Sequence, residues 1–262
     1  MTDTPLKTWL ERDQQILRLQ LARPKANIID AEMIDALSAS LASHAADDRL
    51  MAVVLDAEGP HFSFGASVKE HLPDQCAAML KKINALIMQM LEYPLPIVAA
   101  VQGQCLGGGL ELACAASPII AAPDAMLGQP EISLAVIAPA ASCLLPERIG
   151  QAQAEMLLLS GKSIDAERAK LIGLVDEVSE APTEAALAWI DENIIGKSAS
   201  SLRIALSAVR HDAVERIRVK LKAVEKVYID TLMQTKDPLE GLTAFLEKRN
   251  PVWENTKSEA ER

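Results

Sequence analysis

The stretch that most limits what this chain can fold into runs from Ile97 to Glu131. A short apolar run, Ile97–Val101, leads into Gly103 and then three consecutive glycines, Gly107, Gly108 and Gly109. Glu111 follows three residues after the middle glycine, and a second apolar run ends in Gln129-Pro130-Glu131. A strand feeding a glycine turn that opens a helix leaves backbone N–H groups unpaired and lets a ligand approach the main chain closely. Two carboxylates lie near it in sequence, so this is the candidate chemical site.

The rest of the chain supports an α/β body around that stretch. KTWLE and QILRLQL read as two strands split by a charged turn at Arg12-Asp13, and Pro24 and Asn27 stop the second. Asp30 caps a helix predicted over 31–44, with Met33, Ile34, Leu37 and Leu41 on one side. Met51–Leu55 is a buried strand, followed by the loop HFSFGASVKEH and an amphipathic helix over 75–92 halted by Pro94 and Pro96. Further on, helices are predicted over 144–150, 152–159 (ended by Gly161) and 165–170, then a strand over 174–178. Alternation of strand and helix through the first 180 residues indicates the α/β class. Beyond Ala181 the pattern is helical only: 183–195, 200–209, 211–233 and 238–248, with a frayed end at 257–262. This divides the chain into a core over 1–195 and a C-terminal helical segment over 196–262.

Composition narrows the function. The net charge of −10 argues against a nucleic-acid partner, because phosphate contacts call for a basic face. The Lys/Arg-richer part, Arg203–Lys226, carries Leu, Val and Ile at helical spacing and reads as a solvated helix face. No apolar run reaches the roughly 20 residues a membrane span needs. The start, MTDTPLKTWLERDQQ, has no secretory pattern, so a cytoplasmic protein is expected. Cys76, Cys105, Cys114 and Cys143 form no CxxC pair and are read as buried thiols; no metal site is expected.

Several site readings fall away. GQCLGGG does not supply G-x-G-x-x-G. Gly161-Lys162-Ser163 lacks the first glycine of a phosphate loop, since Met156 stands there. Ser63, between His61 and Gly65, is outside a G-x-S-x-G context and has no obvious base among His44, His71 and His211. What remains is Glu111 and Glu131. Taken singly, one is a first-turn acid favoured by the helix dipole and the other a surface residue after a proline turn. Their apolar neighbours, Leu110, Leu112 and Ala113 for one and Ile132, Leu134 and Val136 for the other, instead put both carboxyls in a dry pocket that raises their pKa toward neutrality.

Five ordered motifs, ARPKAN, GPHFSFGAS, AxxGxCLGGGLEL, GQPEI and FLEKRNPVW, resemble the crotonase (enoyl-CoA hydratase/isomerase) superfamily over nearly the whole chain. The resemblance implies a spiral of ββα units with a C-terminal helical segment that assembles homotrimers, often paired into homohexamers. It implies an acyl-CoA substrate, with coenzyme A part of that substrate and no separate cofactor. It places an oxyanion hole at the N–H groups of Ala66 and Gly108, where charge develops on a thioester oxygen. Glu111 and Glu131 match the glutamate pair of the family's hydratases, one taking a proton from water and the other giving one to carbon. Lys25 and Ala26 are implied near the adenosine end, Ser67 beside the pantetheine, and Phe245 with Lys248 from the tail.

Two departures from the family pattern bear on the substrate. The usual GADI is here Gly65-Ala66-Ser67-Val68, and the usual PGAGGT is here Ala138-Pro139-Ala140-Ala141-Ser142-Cys143. The second change points to an altered acyl pocket at Ala138, Pro139, Ala140 and Ser142. The whole motif set is similar to family members that hydrate a cyclic dienoyl thioester. A general enoyl-CoA hydratase or isomerase is the alternative, and a non-catalytic or RNA-binding homologue fits poorly with two retained acids and a negative chain.

Overall fold

A computed structural model of the chain describes residues 4–255. Strands β1 (Leu6–Glu11) and β2 (Ile16–Leu21) form a hairpin, turning through Arg12, Asp13 and Gln14 at φ 50, 54 and 68°. Helix α1 (Ala31–His44) starts where Asp30 accepts a bond from the Met33 N–H at 2.9 Å. Then come β3 (Ala52–Ala57), α2 (Cys76–Glu92), β4 (Ile97–Val101), β5 (Gln104–Leu106) and α3 (Gly108–Ala115). Strands β6 (Ile119–Ala121) and β7 (Met126–Gly128) precede α4 (Pro139–Ser160), β8 (Ser163–Asp165), α5 (Ala166–Leu171) and β9 (Glu177–Val178). The chain continues through α6 (Pro182–Asn193), α7 (Ala199–Asp230) and α8 (Asp237–Leu246).

Six strands form one sheet in the order β1-β2-β3-β4-β6-β9, with β1 antiparallel and the others parallel. A second sheet, β5-β7-β8, lies over the glycine turn. Alternation along the strands covers both faces of the large sheet. Leu17, Leu19, Val53, Leu55, Ala99 and Ile119 join α1 to α4 in the main core, while Ile16, Val54, Val98 and Ile120 pack on Ala186 and Ile190 of α6. Parallel strands buried on both faces read as continuous apolar runs, which is why IVAAV and AVVL were legible.

Most expected elements are present, with differences that have physical causes. Helix α4 begins at Pro139, five residues before the expected start at Leu144, because proline suits the first helical position and small alanines follow it. Its predicted break falls where Gly150 leaves helical geometry at φ 74°. The two helices expected over 200–209 and 211–233 are one, since 199–230 contains neither glycine nor proline to interrupt it. Of the strand expected over 174–178, only Glu177–Val178 pairs with β6. The three short strands of the second sheet were not anticipated as a unit, because three-residue strands carry too little periodicity. The frayed end expected at 257–262 lies outside the described residues.

Among the described residues no helix is long and apolar enough to cross a membrane, and no cluster of His, Cys, Asp and Glu could hold a metal ion. All four cysteines are free and buried.

Candidate active site

The site is built from four chain segments that converge at the C-terminal ends of the parallel strands. The first donor, Ala66, lies on the loop after β3. Its position is set by a parallel bridge to Ile29, in which the Ile29 N–H donates to the Gly65 carbonyl at 3.0 Å. Glu70, three residues into the following 3-10 turn (Val68–His71), accepts from the Ala31 N–H at the start of α1 at 3.2 Å. Ser63 donates to the Asn27 carbonyl at 2.8 Å and accepts from the Gly65 N–H at 3.0 Å. Asn27, fully buried, donates through its amide to the carbonyls of Glu58 and His61, 3.0 Å each. These bonds sew the ARPKAN loop to the Ala66 loop, and they explain Ser63 and His61 as structural residues. His61 accepts from the Gln104 N–H at 3.2 Å through Nδ1.

The second donor, Gly108, is the first residue of α3. Its N–H therefore has no carbonyl to bond within the helix. Among the described residues neither the Ala66 nor the Gly108 N–H donates to a protein acceptor. The two donors are neighbours: a Cβ on Gly108 would stand 3.1 Å from the Ala66 nitrogen, and one on Gly65 would stand 2.9 Å from the Leu106 carbonyl. Glycine is required at 65 by its φ of 99° as well as by that close approach. Two free N–H groups on facing turns, one carrying a helix N-terminal dipole, are the arrangement that an oxyanion hole requires.

Glu131 lines the same groove as Ala66, whereas Glu111 lies behind it and lines neither that groove nor the cavity beside it. Glu111, on the first turn of α3, is 5% exposed and accepts from the Ala141 N–H at 2.8 Å. Burial pushes its pKa up to about 7, against the opposing pull of the Ala141 and Ala140 N–H groups. Glu131 sits in a 3-10 turn (Pro130–Leu134) that starts with proline and ends at Ala135 in left-handed geometry. Its pKa is pushed up to about 8, first by burial and then by the charge of Glu111. A Cβ on Gly107 would meet the Glu131 Oε1 at 2.5 Å, so the carboxyl reaches across to the glycine turn. Helix α8 presses on the turn that carries Glu131, and a Cβ on Gly241 would stand 2.2 Å from the Leu134 carbonyl.

Glu131 lines two spaces at once. One is a groove of about 570 Å³ walled by Phe64, Ala66, Ser67, His71, Leu106 and Phe245. The other is a smaller apolar cavity of about 180 Å³ walled by Val136, Ile137, Ala138, Ser142 and Leu158. Of the residues singled out in the sequence, Ala66, Ser67, Glu131 and Phe245 line the groove, and Ala138 and Ser142 line the cavity. Ala26 adjoins the groove, its carbonyl accepting from the Phe64 N–H at 2.9 Å. Lys25 and Lys248 are exposed and outside the groove wall. Pro139 and Ala140 do not line the acyl cavity as expected; they form the buried first turn of α4, whose N–H groups hold Glu111.

Three residues near the site escaped sequence reasoning. Gln129, 1% exposed, can place its amide nitrogen 3.1 and 2.9 Å from the two Glu131 oxygens. Turned over, that nitrogen lies 3.4 Å from the Gly107 carbonyl and the amide oxygen faces Glu131, the arrangement that suits a protonated carboxyl. The QPE tripeptide was its only signal. His71 lines the groove, donates through Nδ1 to the Ser67 carbonyl at 2.8 Å, and is held neutral by burial, which lowers its pKa. Tyr228 of α7, fully buried, feels the charges of both glutamates and has a hydroxyl without a partner among the described residues.

The model of the enoyl-CoA hydratase/isomerase family matches residues 11–256. The chain belongs to the enoyl-CoA hydratase/isomerase family. It is 60% identical over 252 residues to cyclohexa-1,5-dienecarbonyl-CoA hydratase of Thauera aromatica, covering 96% of this chain and 98% of that protein. It is 34% identical over 249 residues to a probable enoyl-CoA hydratase of Bacillus subtilis (strain 168), covering 91% and 95%. Among solved structures, an enoyl-CoA hydratase/isomerase from Pseudoalteromonas atlantica T6c superposes with a TM-score of 0.82 at 28% identity, covering 95% of this chain and 99% of that one. The crotonase fold expected from the motifs is thus the fold of this family member.

Two outcomes follow for this site. Gly108→Ala places a methyl group 3.1 Å from the Ala66 nitrogen, between the paired amides. Steady-state kinetics should show turnover lower by about 10²-fold or more, the scale of losing one oxyanion donor, with an unchanged far-ultraviolet spectrum. The second concerns stability. Both glutamates have folded-state pKa values raised from 4.5, so their contribution is fully present below about pH 4.5 and is lost as pH rises through about 7 to 8. Glu131→Gln removes that penalty, and its melting temperature at pH 9 should exceed that of the unaltered chain by a few degrees while the two converge at pH 5. Equal melting temperatures at pH 9 would show that Glu131 is not buried as described.

Proposed function

We propose that this chain adds water to cyclohexa-1,5-diene-1-carbonyl-CoA to give 6-hydroxycyclohex-1-ene-1-carbonyl-CoA. The observation that carries this reading is the 60% identity over 96% of the chain to a hydratase named for that substrate. The two carboxyls beside paired N–H groups provide the chemistry.

The pantetheine arm lies along the groove and the thioester oxygen takes the N–H groups of Ala66 and Gly108. The ring enters the apolar cavity beside Glu131, whose volume of about 180 Å³ suits a six-membered ring. Glu111 is the base. Its carboxylate keeps an N–H bond from Ala141, which favours the charged form. Glu131 is the acid, because burial and the negative charge of Glu111 both hold the proton on it.

Glu111 takes a proton from water as the oxygen bonds to ring carbon C2. The C1=C2 electron pair moves into the thioester, and the resulting dienolate spreads over C1, C6 and C5. The oxyanion hole stabilises the charge on oxygen. Glu131 then delivers its proton to C5, and the double bond settles between C1 and C6, which is the C1=C2 bond of the product as named. Water is consumed whole, with hydroxyl at one end of the conjugated system and hydrogen at the other. The net proton passes from Glu131 to Glu111, and exchange with solvent resets the pair.

The helical segment over 196–262 is proposed to bring copies together as a trimer or hexamer. Met156, Leu159 and Leu171, with Ile204, Val209 and Val219 on α7, are large apolar residues exposed on the single chain, which supports this reading.

Turnover of the cyclic dienoyl-CoA should exceed that of crotonyl-CoA when the hydrated product of each is separated from its substrate and quantified. Faster hydration of crotonyl-CoA would reject ring specificity and favour a general enoyl-CoA hydratase. The pH profile of kcat/KM should be a narrow bell centred at about 7.5, rising as Glu111 ionises at about 7 and falling as Glu131 loses its proton at about 8. Glu131→Gln should lower turnover by about 10²- to 10⁴-fold and abolish the alkaline limb.

A further inference from the structure

A second cavity, of about 660 Å³, lies between the C-terminal end of α2 and the first half of α7. It shares no wall residue with the thioester groove. Its size is that of a small-ligand site. The walls include Tyr93, Arg203, Ser207, Arg210 and His211.

The charges in this cavity do not balance locally. Its two carboxylates, Glu92 and Glu215, are both engaged by Arg218. Arg203 and Arg210 have no carboxylate partner among the described residues. Arg203 donates to the carbonyls of Asp47 and Leu50 at 2.9 and 3.2 Å, and Arg210 donates to that of Leu91 at 3.1 Å. Those bonds engage one nitrogen of each guanidinium, and both side chains line the cavity with further N–H groups not engaged by the protein. Burial lowers the pKa of Arg210, as a guanidinium sheltered from water without an anion requires. The same wall holds Tyr93, 4% exposed, its hydroxyl lacking any partner among the described residues. Burial pushes that hydroxyl up to about 12, so it is a neutral donor. Two guanidiniums without a carboxylate partner and a buried hydroxyl without any partner, on the wall of one cavity, suit the oxygens of a phosphate group.

We propose that this cavity binds a phosphate or diphosphate group, at a site separate from the catalytic groove. Arg203 and Arg210 would each donate paired N–H bonds to its oxygens, and Tyr93 a third. The phosphate chemistry is common to inorganic diphosphate and to the phosphorylated nucleoside end of coenzyme A, and the two are separated by testing both.

The chain has two tyrosines, Tyr93 and Tyr228, so ring-labelled tyrosine resonances report on this cavity and the catalytic site independently. Titration of the intact protein with sodium pyrophosphate, and separately with adenosine 3′,5′-bisphosphate, should move the Tyr93 resonance saturably while that of Tyr228 stays in place. Response to pyrophosphate identifies the inorganic anion as sufficient; response only to the nucleotide identifies the coenzyme A end. Arg210→Gln should weaken binding by about tenfold or more, the scale of a charged hydrogen bond, with hydration turnover unchanged. Tyr93→Phe, which preserves packing, should weaken binding measured by calorimetry severalfold, and serves if Arg210→Gln does not fold. No saturable shift with either anion, movement of both tyrosines together, or an unchanged affinity in the variants would overturn the site and leave the arginines as helix-end caps.

Discussion

The proposed chemistry depends on sheltering two carboxyl groups from water near two unpaired amides. Burial, joined at Glu131 by the charge of Glu111, raises both acids into the range where one can hold a proton and the other can take one. In water, both would be ionised at neutral pH and neither could act as an acid. The protein tolerates this because few groups are involved and each is partly answered: Glu111 by the α4 N–H groups, Glu131 by the Gln129 amide. The difference between the two answers decides the roles. A pair of backbone donors stabilises charge, whereas an amide side chain that can present either nitrogen or oxygen accepts both protonation states.

The oxyanion hole requires the opposite economy, in which polar groups are left unsatisfied on purpose. Two facing turns must hold their N–H groups toward the same point without bonding each other, and loops do not keep such positions unaided. Here every neighbouring polar group is used as a fastening. Asn27 spans to Glu58 and His61, Ser63 spans from Asn27 to Gly65, and Glu70 reaches the first turn of α1. Each bond is worth only about 1 kcal/mol, yet together they remove the freedom that would let Ala66 turn away. Gly65, Gly107 and Gly108 supply the close approach that larger residues would block.

How much of this could be read in the sequence depended on whether the signal was local. The parallel strands, the Asp30 cap and the amphipathic α2 are local patterns of hydrophobicity and turn chemistry, and they emerged within a residue or two. Glu111 and Glu131 were legible because apolar neighbours surround each of them in the chain. Gln129, His71 and Tyr228 were not, since their importance comes from contacts between distant segments. Tyr228 lies on α7, about a hundred residues beyond the acids it faces. The second sheet was missed for the same reason: its strands are too short to declare themselves and exist only because β7 brings β5 and β8 together.

The segment 138–143 shows why a substitution read as a change of pocket shape can act on chemistry. Ala141, standing where the family pattern has glycine, favours helix over loop by about 0.5–1 kcal/mol. With Pro139 at the first position it helps form the opening turn of α4, and the Ala141 N–H is thereby fixed at 2.8 Å from Glu111. On the same turn Ser142 faces the cavity beside Glu131, with its hydroxyl donating back to the Ala138 carbonyl at 2.8 Å and not to any ligand. One helical turn thus anchors Glu111, the proposed base, on one side and bounds the cavity proposed for the ring on the other. The proposed 1,4-addition across a ring needs that coupling: water must meet one ring carbon while the proton reaches the carbon opposite, so the two acids must keep a fixed separation across a fixed ring. A helical first turn, stiffer than a glycine loop, holds both ends of that distance.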